Sequence, residues 1–207
     1  MGVALVDIGG GATNLAVFYQ GSVRHTAVIG LGGQNVTNDV AIGLRTPWQQ
    51  AERIKPDHGC ALQSEVPAEE MITVPGVAGR ASYQIPRREL ANIIEPRMEE
   101  IFSLVFKEIR RTEYADLLAA GIVLTGAGAL LEGVSKLAEQ VFDMPVNAGL
   151  PRGVSGLVDS IDSPGFATGV GLVLYGHRVR SRTARIEIPK TPGTLMGWLK
   201  NLVTGIF

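Results

Sequence analysis

The stretch ALVDIGGGATNLAVF, at residues 4–18, constrains the fold of this chain more than any other. Two apolar runs flank a short segment that holds an aspartate and three consecutive glycines. Short apolar runs bounded by glycine are typical of buried β-strands joined by a tight turn. The pattern predicts an antiparallel meander with strands at residues 3–8, 14–19 and 22–30.

Asp7 and the glycines that follow it are candidates for binding a polyphosphate. Glycine has no Cβ, so Gly9, Gly10 and Gly11 allow backbone N–H groups to approach an anion closely. Asp7 would hold Mg²⁺ or its water ligands, and the hydroxyl of Thr13 would add a hydrogen-bond donor. A plain hairpin turn accounts for the same residues equally well, because glycine turns are common. The motif alone leaves both interpretations open.

A second glycine turn lies in IVLTGAGALLEG, at residues 122–133, where a predicted strand leads into a helix. The amino end of a helix attracts anions, and small residues such as Gly126 and Ala127 let a flat ligand approach the backbone. The turn lacks the lysine of a Walker A loop and the third glycine of a dinucleotide-binding fingerprint. Close packing of the strand on the helix explains these residues at least as well.

The segment TPWQQAERIK predicts a short helix, with Thr46 as its N-cap and Pro47 at its first position. On this helix Glu52 and Lys55 are three residues apart and share a face. They would pair with each other at the surface or, alternatively, bracket the ribose or adenine of a nucleotide.

The sequence pattern changes in the middle of the chain. Residues 57–86 consist of short extended pieces broken by proline and glycine, which predict a small β-rich subdomain. A long helical pattern follows, and Pro96 is expected to kink it or to begin a new helix. The predicted helix buries an apolar stripe of Met98, Ile101, Phe102, Val105 and Ile109. Arginines cluster nearby, among them Arg80 and Arg97, and suit either a solvated face or an acidic partner.

The last stretch, KTPGTLMGWLKNLVTGIF, predicts an amphipathic helix at residues 194–207 that lies in a membrane interface. A helix that docks on the chain's own core is the alternative. A basic segment precedes it, and its arginines would face anionic lipid. The apolar half of the helix consists of Leu195, Met196, Trp198, Leu199, Leu202, Val203, Ile206 and Phe207.

These features, in this order, resemble the actin/Hsp70/sugar-kinase ATPase superfamily. DIGGGATNLAVF looks like its second phosphate motif, and IVLTGAGALLEG looks like its adenosine motif. Within the superfamily, the strings GGQNVTNDVAIGLRTPWQQAERIK, IIEPRMEEIF and ATGVGLVLYG are similar to the FtsA family of bacterial cell-division proteins. The resemblance runs from residue 3 to the carboxyl terminus.

The resemblance implies an α/β fold: a ribonuclease H-like actin-type ATPase lobe with a small α+β subdomain inserted and a C-terminal amphipathic helix. Family members have two lobes, and the distance between the two motifs leaves room for only one here. We therefore expect the second lobe alone, with the chain shortened before Met1. The expected parts are subdomain 2A at 1–56 and 113–177, subdomain 2B at 57–112, a basic linker at 178–193 and the membrane helix at 194–207.

The resemblance also implies a function. ATP and Mg²⁺ would bind a half-site, and one lobe alone would have weak or no ATPase activity. The expected half-site consists of Asp7, Gly9, Gly10, Gly11, Thr13, Glu52, Lys55, Gly126 and Ala127. Arg80 and Arg97 of subdomain 2B would meet the C-terminal peptide of FtsZ. The whole protein would anchor the FtsZ ring to the inner face of the cytoplasmic membrane, associate with itself and help to recruit other division proteins.

Composition narrows the alternatives. The net charge is −1, so no overall field favours nucleic acid. A single cysteine, Cys60, excludes an intramolecular disulfide, and a reducing cytoplasm is expected. The three histidines lack the spacing of a zinc site. Two rival functions remain: a PilM-like pilus-assembly protein, which would lack the terminal helix, and a kinase lobe of the sugar-kinase superfamily.

Overall fold

The computed structural model describes residues 1–76, 81–154 and 161–183. The chain divides into two compact units, Met1–Val170 and Gly171–Phe207. The strands are β1 (Gly2–Ile8), β2 (Thr13–Tyr19), β3 (Ser22–Ile29), β4 (Met71–Val74), β5 (Tyr83–Pro86), β6 (Ile122–Thr125) and β7 (Val146–Ala148). The α-helices are α1 (Gly33–Gly43), α2 (Trp48–His58), α3 (Arg87–Arg110), α4 (Val134–Phe142) and α5 (Ala167–Thr183).

A five-stranded mixed sheet, in the order β3-β2-β1-β6-β7, forms the centre of the first unit. β1 pairs with β2, and β2 with β3, in antiparallel fashion, which confirms the predicted meander. β6 and β7 extend the sheet on the other side of β1 in parallel. β1 is therefore the middle strand, and Ala4, Val6 and Ile8 on one of its faces are fully buried.

Helix α3 packs against β2, β3, α1 and α4. Its predicted apolar stripe is confirmed, because all five of its members are buried. Phe102 lies at the centre of this packing, with its ring centroid 5.4 Å from that of Phe142 in an edge-to-face arrangement. The expectation that Pro96 begins a new helix is wrong, because α3 continues through it. Buried Ile94 and Met98 on either side fix this turn, and their packing outweighs the backbone hydrogen bond that proline cannot make.

The predicted N-cap of α2 is also wrong. The helix begins at Trp48 with Pro47 in the N-cap position, and no side chain caps it. The hydroxyl of Thr46 instead donates a hydrogen bond to the carbonyl oxygen of Pro75, at 2.9 Å. The hydroxyl of Thr46 is therefore used in a contact that is distant in the sequence and does not cap the helix.

The segment after α2 contains the predicted extended pieces, since β4 and β5 form a two-stranded antiparallel hairpin. Arg87 ties this hairpin to its surroundings. Its guanidinium donates to the carbonyl oxygen of His58 at 2.7 Å and forms ion pairs with Glu70, at 3.0 Å, and Glu132. Burial lowers the pKa of Arg87, but its hydrogen bonds to Glu132 and Glu70 and their charges outweigh burial and raise it. The expected division at residues 57 and 112 stays a prediction.

Several expectations concern the end of the chain. Helix α5 includes residues 178–183, the first part of the expected basic linker, and the bounds of that linker stay a prediction. The predicted membrane helix at 194–207 and Arg80 lie outside the described residues. Among the described residues, no helix combines the length and the apolar character needed to cross a bilayer.

Replacing Phe102 with alanine tests the packing of α3. We expect the free energy of unfolding to fall by about 3–5 kcal/mol, because the truncation leaves a cavity in the core. The matched control is Phe166→Ala, since Phe166 is 51% exposed and loses little contact. Urea denaturation of both variants measures the difference. Equal losses in the two variants would contradict the central position of Phe102.

Candidate functional site

The parallel pairing of β1 with β6 brings the two glycine turns together. Asp7 lies opposite Thr125 in the register of these strands. The loop after β1 and the turn after β6 therefore leave the sheet at the same edge. The carboxyl edge of parallel strands is where α/β folds bind ligands. The two motifs, which are more than a hundred residues apart in the sequence (residues 9–11 and 126–127), are thus adjacent in space.

The glycine loop after β1 is fixed by the start of α1. The amides of Gly33 and Gln34 donate to the carbonyl oxygens of Gly9 and Gly10, at 2.9 and 2.8 Å. The first amides of α1 are thereby satisfied by the loop. The amides of Gly10 and Gly11 make no hydrogen bond to any described residue, and both glycines are exposed. These two N–H groups are available to an anion.

Gly32 makes the close contact between the loop and α1 possible. A Cβ at this position would lie 2.6 Å from the carbonyl oxygen of Gly9 and 2.7 Å from that of Gly10. Neither contact can be relieved by a side-chain rotation, because both atoms belong to the backbone. The position therefore requires glycine for steric reasons.

Helix α2 presents one face to the same region. Trp48, Glu52, Lys55 and Pro56 follow the spacing i, i+4, i+7 and i+8, which places them on one side of a helix. Trp48 is 41% exposed and lies at the amino-terminal end of this face. This face carries the Glu52–Lys55 pair that the sequence singled out.

The ammonium of Lys55 joins α2 to α1. It donates to the carbonyl oxygen of Gly33 at 3.0 Å, to the hydroxyl of Thr37 at 2.7 Å and to Glu52 Oε2 at 2.9 Å. An ammonium has three N–H donors, so all of them are used. Lys55 and Glu52 therefore pair with each other and also face the site.

Glu52 keeps one carboxylate oxygen for other partners. The hydroxyl of Thr37 and the ammonium of Lys55 both donate to Oε2, and Oε1 accepts no hydrogen bond from a described residue. Burial raises the pKa of this carboxyl, but hydrogen bonds from Thr37 and Lys55 and the charge of Lys55 outweigh burial and lower it. Glu52 is therefore a carboxylate at neutral pH, with a side chain that is 43% exposed.

A cavity of about 500 Å³ lies between these elements and has mostly apolar walls. Of the predicted site residues, the cavity brings together Gly9, Gly10, Glu52, Lys55 and Ala127. The sequence interpretation missed the other residues in its wall, among them Gln34, Trp48 and Leu131. Gln34 lies over the glycine loop, with its Nε2 3.7 Å from where a Cβ on Gly10 would be. No local pattern in the sequence marks these three residues as site residues.

Four predicted residues, namely Asp7, Gly11, Thr13 and Gly126, are absent from the described wall of this cavity. Thr13 is fully buried, and its hydroxyl donates to the carbonyl oxygen of Leu31 at 2.9 Å, so it cannot serve as the expected donor to a ligand. Gly126 has φ +82 and forms the turn itself. Asp7 Oδ2 accepts a hydrogen bond of 2.6 Å from the hydroxyl of Thr168 at the same edge.

The turn after β6 differs from the expected helix start. A 3-10 turn, Ala127–Leu130, follows Gly126, and α4 begins only at Val134. The amino end of α4 is therefore not at Gly126 and Ala127, and the expected anion attraction by a helix dipole is wrong for this turn. What remains at the cavity is a close backbone approach through Ala127 and Gly128.

Arg97 of the predicted partner surface is engaged within the chain. Its guanidinium forms a two-pronged ion pair with Asp39, at 2.5 and 3.1 Å, and also contacts Glu100. The hydrogen bond to Asp39 is the main cause that raises the pKa of Arg97. Arg97 therefore links α3 to α1, and an acidic partner would have to compete with Asp39 for it.

Solved structures with the same arrangement define the class of fold. MreB5 of Spiroplasma citri, in its ADP-bound crystal structure, matches with a TM-score of 0.70 over 88% of this chain and 55% of that chain, at 21% sequence identity. A PilM–PilN type IV pilus biogenesis complex matches with a TM-score of 0.61 over 84% of this chain and 46% of that one, at 17% identity. The fold is that of one lobe of the actin-like ATPases.

Sequence comparison gives the family. The family model for cell division protein FtsA matches residues 4–171. The chain is 46% identical to cell division protein FtsA of Pseudomonas aeruginosa over 216 residues, which cover 100% of this chain and 51% of that protein. It is 41% identical to FtsA of Escherichia coli K12 over 98% of this chain and 50% of that protein. The chain belongs to the FtsA family and spans about half the length of these relatives.

Replacing Gly32 with alanine tests the packing of the glycine loop on α1. We expect the free energy of unfolding to fall by about 1–3 kcal/mol, because the new methyl group meets two carbonyl oxygens and displaces the loop. The control is Gly30→Ala, since a Cβ on Gly30 has no neighbour within 4 Å. Thermal unfolding of both variants measures the effect. A neutral Gly32→Ala would contradict the contact described above.

Proposed function

We propose that this lobe binds an adenine nucleotide in the cavity between the glycine loop, α2 and the turn after β6. The observation that carries the proposal is that one cavity collects Gly9, Gly10, the Glu52–Lys55 pair and Ala127. These groups come from three separate stretches of the sequence, and their types suit the three parts of a nucleotide. The ADP bound to MreB5, a protein of the same fold, supports this choice of ligand.

Each part of the site has a distinct role in the proposal. The free amides of Gly10 and Gly11 donate hydrogen bonds to phosphate oxygens. Glu52 Oε1 accepts a hydrogen bond from a ribose hydroxyl, while Lys55 holds the other carboxylate oxygen in place. Pro56 and Leu131 supply an apolar wall for the base.

Asp7 is the residue that would hold Mg²⁺. Its carboxylate lies at the edge of the sheet beside the glycine loop, with Oδ2 oriented by Thr168. This arrangement fits a magnesium ion that arrives with the phosphates, because Mg²⁺ is usually held by one or two carboxylates together with phosphate oxygens and water. The ion would neutralise phosphate charge, and the chain's part is to hold it through Asp7.

Binding to this lobe alone is expected to be weak, and its ATPase activity weak or absent. The chain spans about half the length of its relatives. The resemblance to the actin-like ATPases implies that the whole protein holds ATP between two lobes. A single lobe leaves the ligand open to water on one side. Water weakens the charge interactions between ligand and protein, which are stronger in a closed site.

The cellular role that we propose follows from the family. The whole protein binds ATP, anchors the FtsZ ring to the cytoplasmic face of the bacterial inner membrane and helps to assemble the other division proteins. FtsA relatives over the whole chain support a role in cell division. The amphipathic pattern at 194–207 supports attachment to anionic lipid. The C-terminal peptide of FtsZ, with its acidic groups, is the proposed partner of the arginine-rich middle segment.

Nucleotide binding can be followed through Trp48. Trp48 and Trp198 are the only tryptophans of the chain, so a Trp198→Phe background leaves a single reporter in the cavity wall. We expect Mg·ATP to change Trp48 fluorescence in a saturable manner. Glu52→Gln in this background should weaken the apparent affinity about tenfold, because the ribose hydrogen bond then goes to a neutral acceptor in place of a charged one.

The matched control for this titration is Arg53→Gln. Arg53 is exposed on another face of α2 and is not among the cavity residues. Its removal should leave the titration unchanged. If both substitutions have the same effect, or if Mg·ATP gives no saturable change, the proposed nucleotide site is wrong.

Membrane attachment is tested by flotation with liposomes that contain anionic lipid. We expect the full chain to float, and a chain without residues 194–207 to stay at the bottom of the gradient, because the apolar half of the predicted amphipathic segment supplies the insertion energy. Added salt should reduce flotation of the full chain, since the arginines upstream act through surface charge. Equal flotation of both chains would overturn the membrane role.

A further inference from the structure

Strand β3 is an outer strand of the five-stranded sheet, and its free edge is regular along five of its eight residues. β2 pairs with one side of β3, and no described strand pairs with the other. A bulge at Arg24 interrupts the register near the start, because Val17 lies opposite His25 and Phe18 opposite Val23. The regular part therefore runs from His25 to Ile29. An outer strand presents unpaired N–H and C=O groups that can pair with another chain.

Helix α3 packs beside this strand. Leu104, Lys107 and Glu108 of α3 and its C-cap residue Arg111 follow the spacing i, i+3, i+4 and i+7, so they lie on one side of the helix. Together with Ala27, Val28 and Ile29 they line a groove of about 280 Å³. Leu104 is 37% exposed and Val28 is 71% exposed. A helix face and a strand edge thus meet where a sixth strand of the sheet would lie.

The charges of this groove suit an acidic partner. Lys107 makes no ion pair or hydrogen bond within the described part of the chain, and Arg111 is 64% exposed. Glu108 is the acid in the groove, and His25, at 3.1 Å, and Arg111, at 2.8 Å, already contact it. The pKa of Glu108 is lowered, and the hydrogen bond from Arg111 is the largest cause. The hydrogen bond to His25 adds to the effect. The groove therefore offers more positive than negative charge to a ligand.

The spacing of the two basic residues matches that of an extended chain. Lys107 and Arg111 are four residues apart on a helix, which corresponds to about 6 Å along its axis. Side chains on one face of a strand repeat about every 6.8 Å. Two acidic side chains at alternate positions of an added strand that runs along α3 would meet Lys107 and Arg111, and an apolar side chain would cover Leu104.

We propose that β3 binds an extended acidic segment of a partner protein as a sixth strand of the sheet. Backbone hydrogen bonds to the edge from His25 to Ile29 hold the segment, as in other cases of strand addition. Lys107 and Arg111 select acidic side chains on the face that points to α3. The partner carries two acidic residues separated by one residue, next to an apolar one.

The proposal can be tested with a capped peptide, Ile-Thr-Asp-Thr-Asp-Thr-Val, titrated into the isotope-labelled full chain. We expect saturable changes of amide chemical shifts at residues 25–29 and at the exposed side of α3. Lys107→Glu combined with Arg111→Glu should weaken binding at least about tenfold, because both attractive charges become repulsive. A fully N-methylated peptide of the same sequence should not bind, since it lacks the donors that strand pairing needs.

The matched control is Arg110→Glu, which reverses a charge on another face of the same helix, where Arg110 lies 3.7 Å from Asp116. This variant should bind the peptide within about twofold of the unchanged chain. The proposal is overturned if the double reversal and the control bind alike, if the N-methylated peptide binds equally well, or if no saturable shift appears at residues 25–29. It is also overturned if the free chain pairs with a second copy through β3, which a dependence of the amide shifts of residues 25–29 on protein concentration would reveal.

Discussion

The pairing of β1 with its two neighbours is the interaction on which the candidate site depends. Ala4, Val6 and Ile8 are all fully buried on one face of β1. A shift of one residue in the register would turn this whole set to the opposite face, so burial fixes the register strongly. The same register places Asp7 opposite Thr125 and brings both glycine turns to one edge. The position of the site is thus a consequence of how the core packs.

The second constraint is the junction between α1 and α2. Lys55 uses all three of its N–H donors to hold Gly33, Thr37 and Glu52. Its main role is therefore to position the site residues, and it has no donor left for a ligand. Gly32 lets α1 approach the glycine loop closely enough for their backbone hydrogen bonds. What these contacts leave free is a small set of groups: the amides of Gly10 and Gly11 and one oxygen of Glu52. The chemistry open to a ligand is therefore the part of the site that structural contacts do not use.

Local patterns predicted the meander, the apolar stripe of α3 and the family, because these depend on periodicity and on motifs that are continuous in the sequence. The errors share a different origin. The hydroxyls of Thr13 and Thr46 both donate to carbonyl oxygens that are distant in the sequence, those of Leu31 and Pro75. Gln34 and Trp48 reach the cavity only because α1 and α2 pack beside the glycine loop. Contacts of this kind arise from tertiary packing and leave no periodic signal.

Helix α3 is shared by both surfaces for which we propose ligands. Met98 lines the cavity, and Lys107 lines the groove beside β3. Lys107 follows Met98 by nine positions, which is about 14 Å of helix, and this stretch includes the fully buried Phe102 and Val105. Because a packed helix moves as a unit, a ligand that displaced α3 at the cavity would also alter the groove. Such coupling requires the ligand to prefer one position of α3, and its strength cannot exceed that difference in affinity.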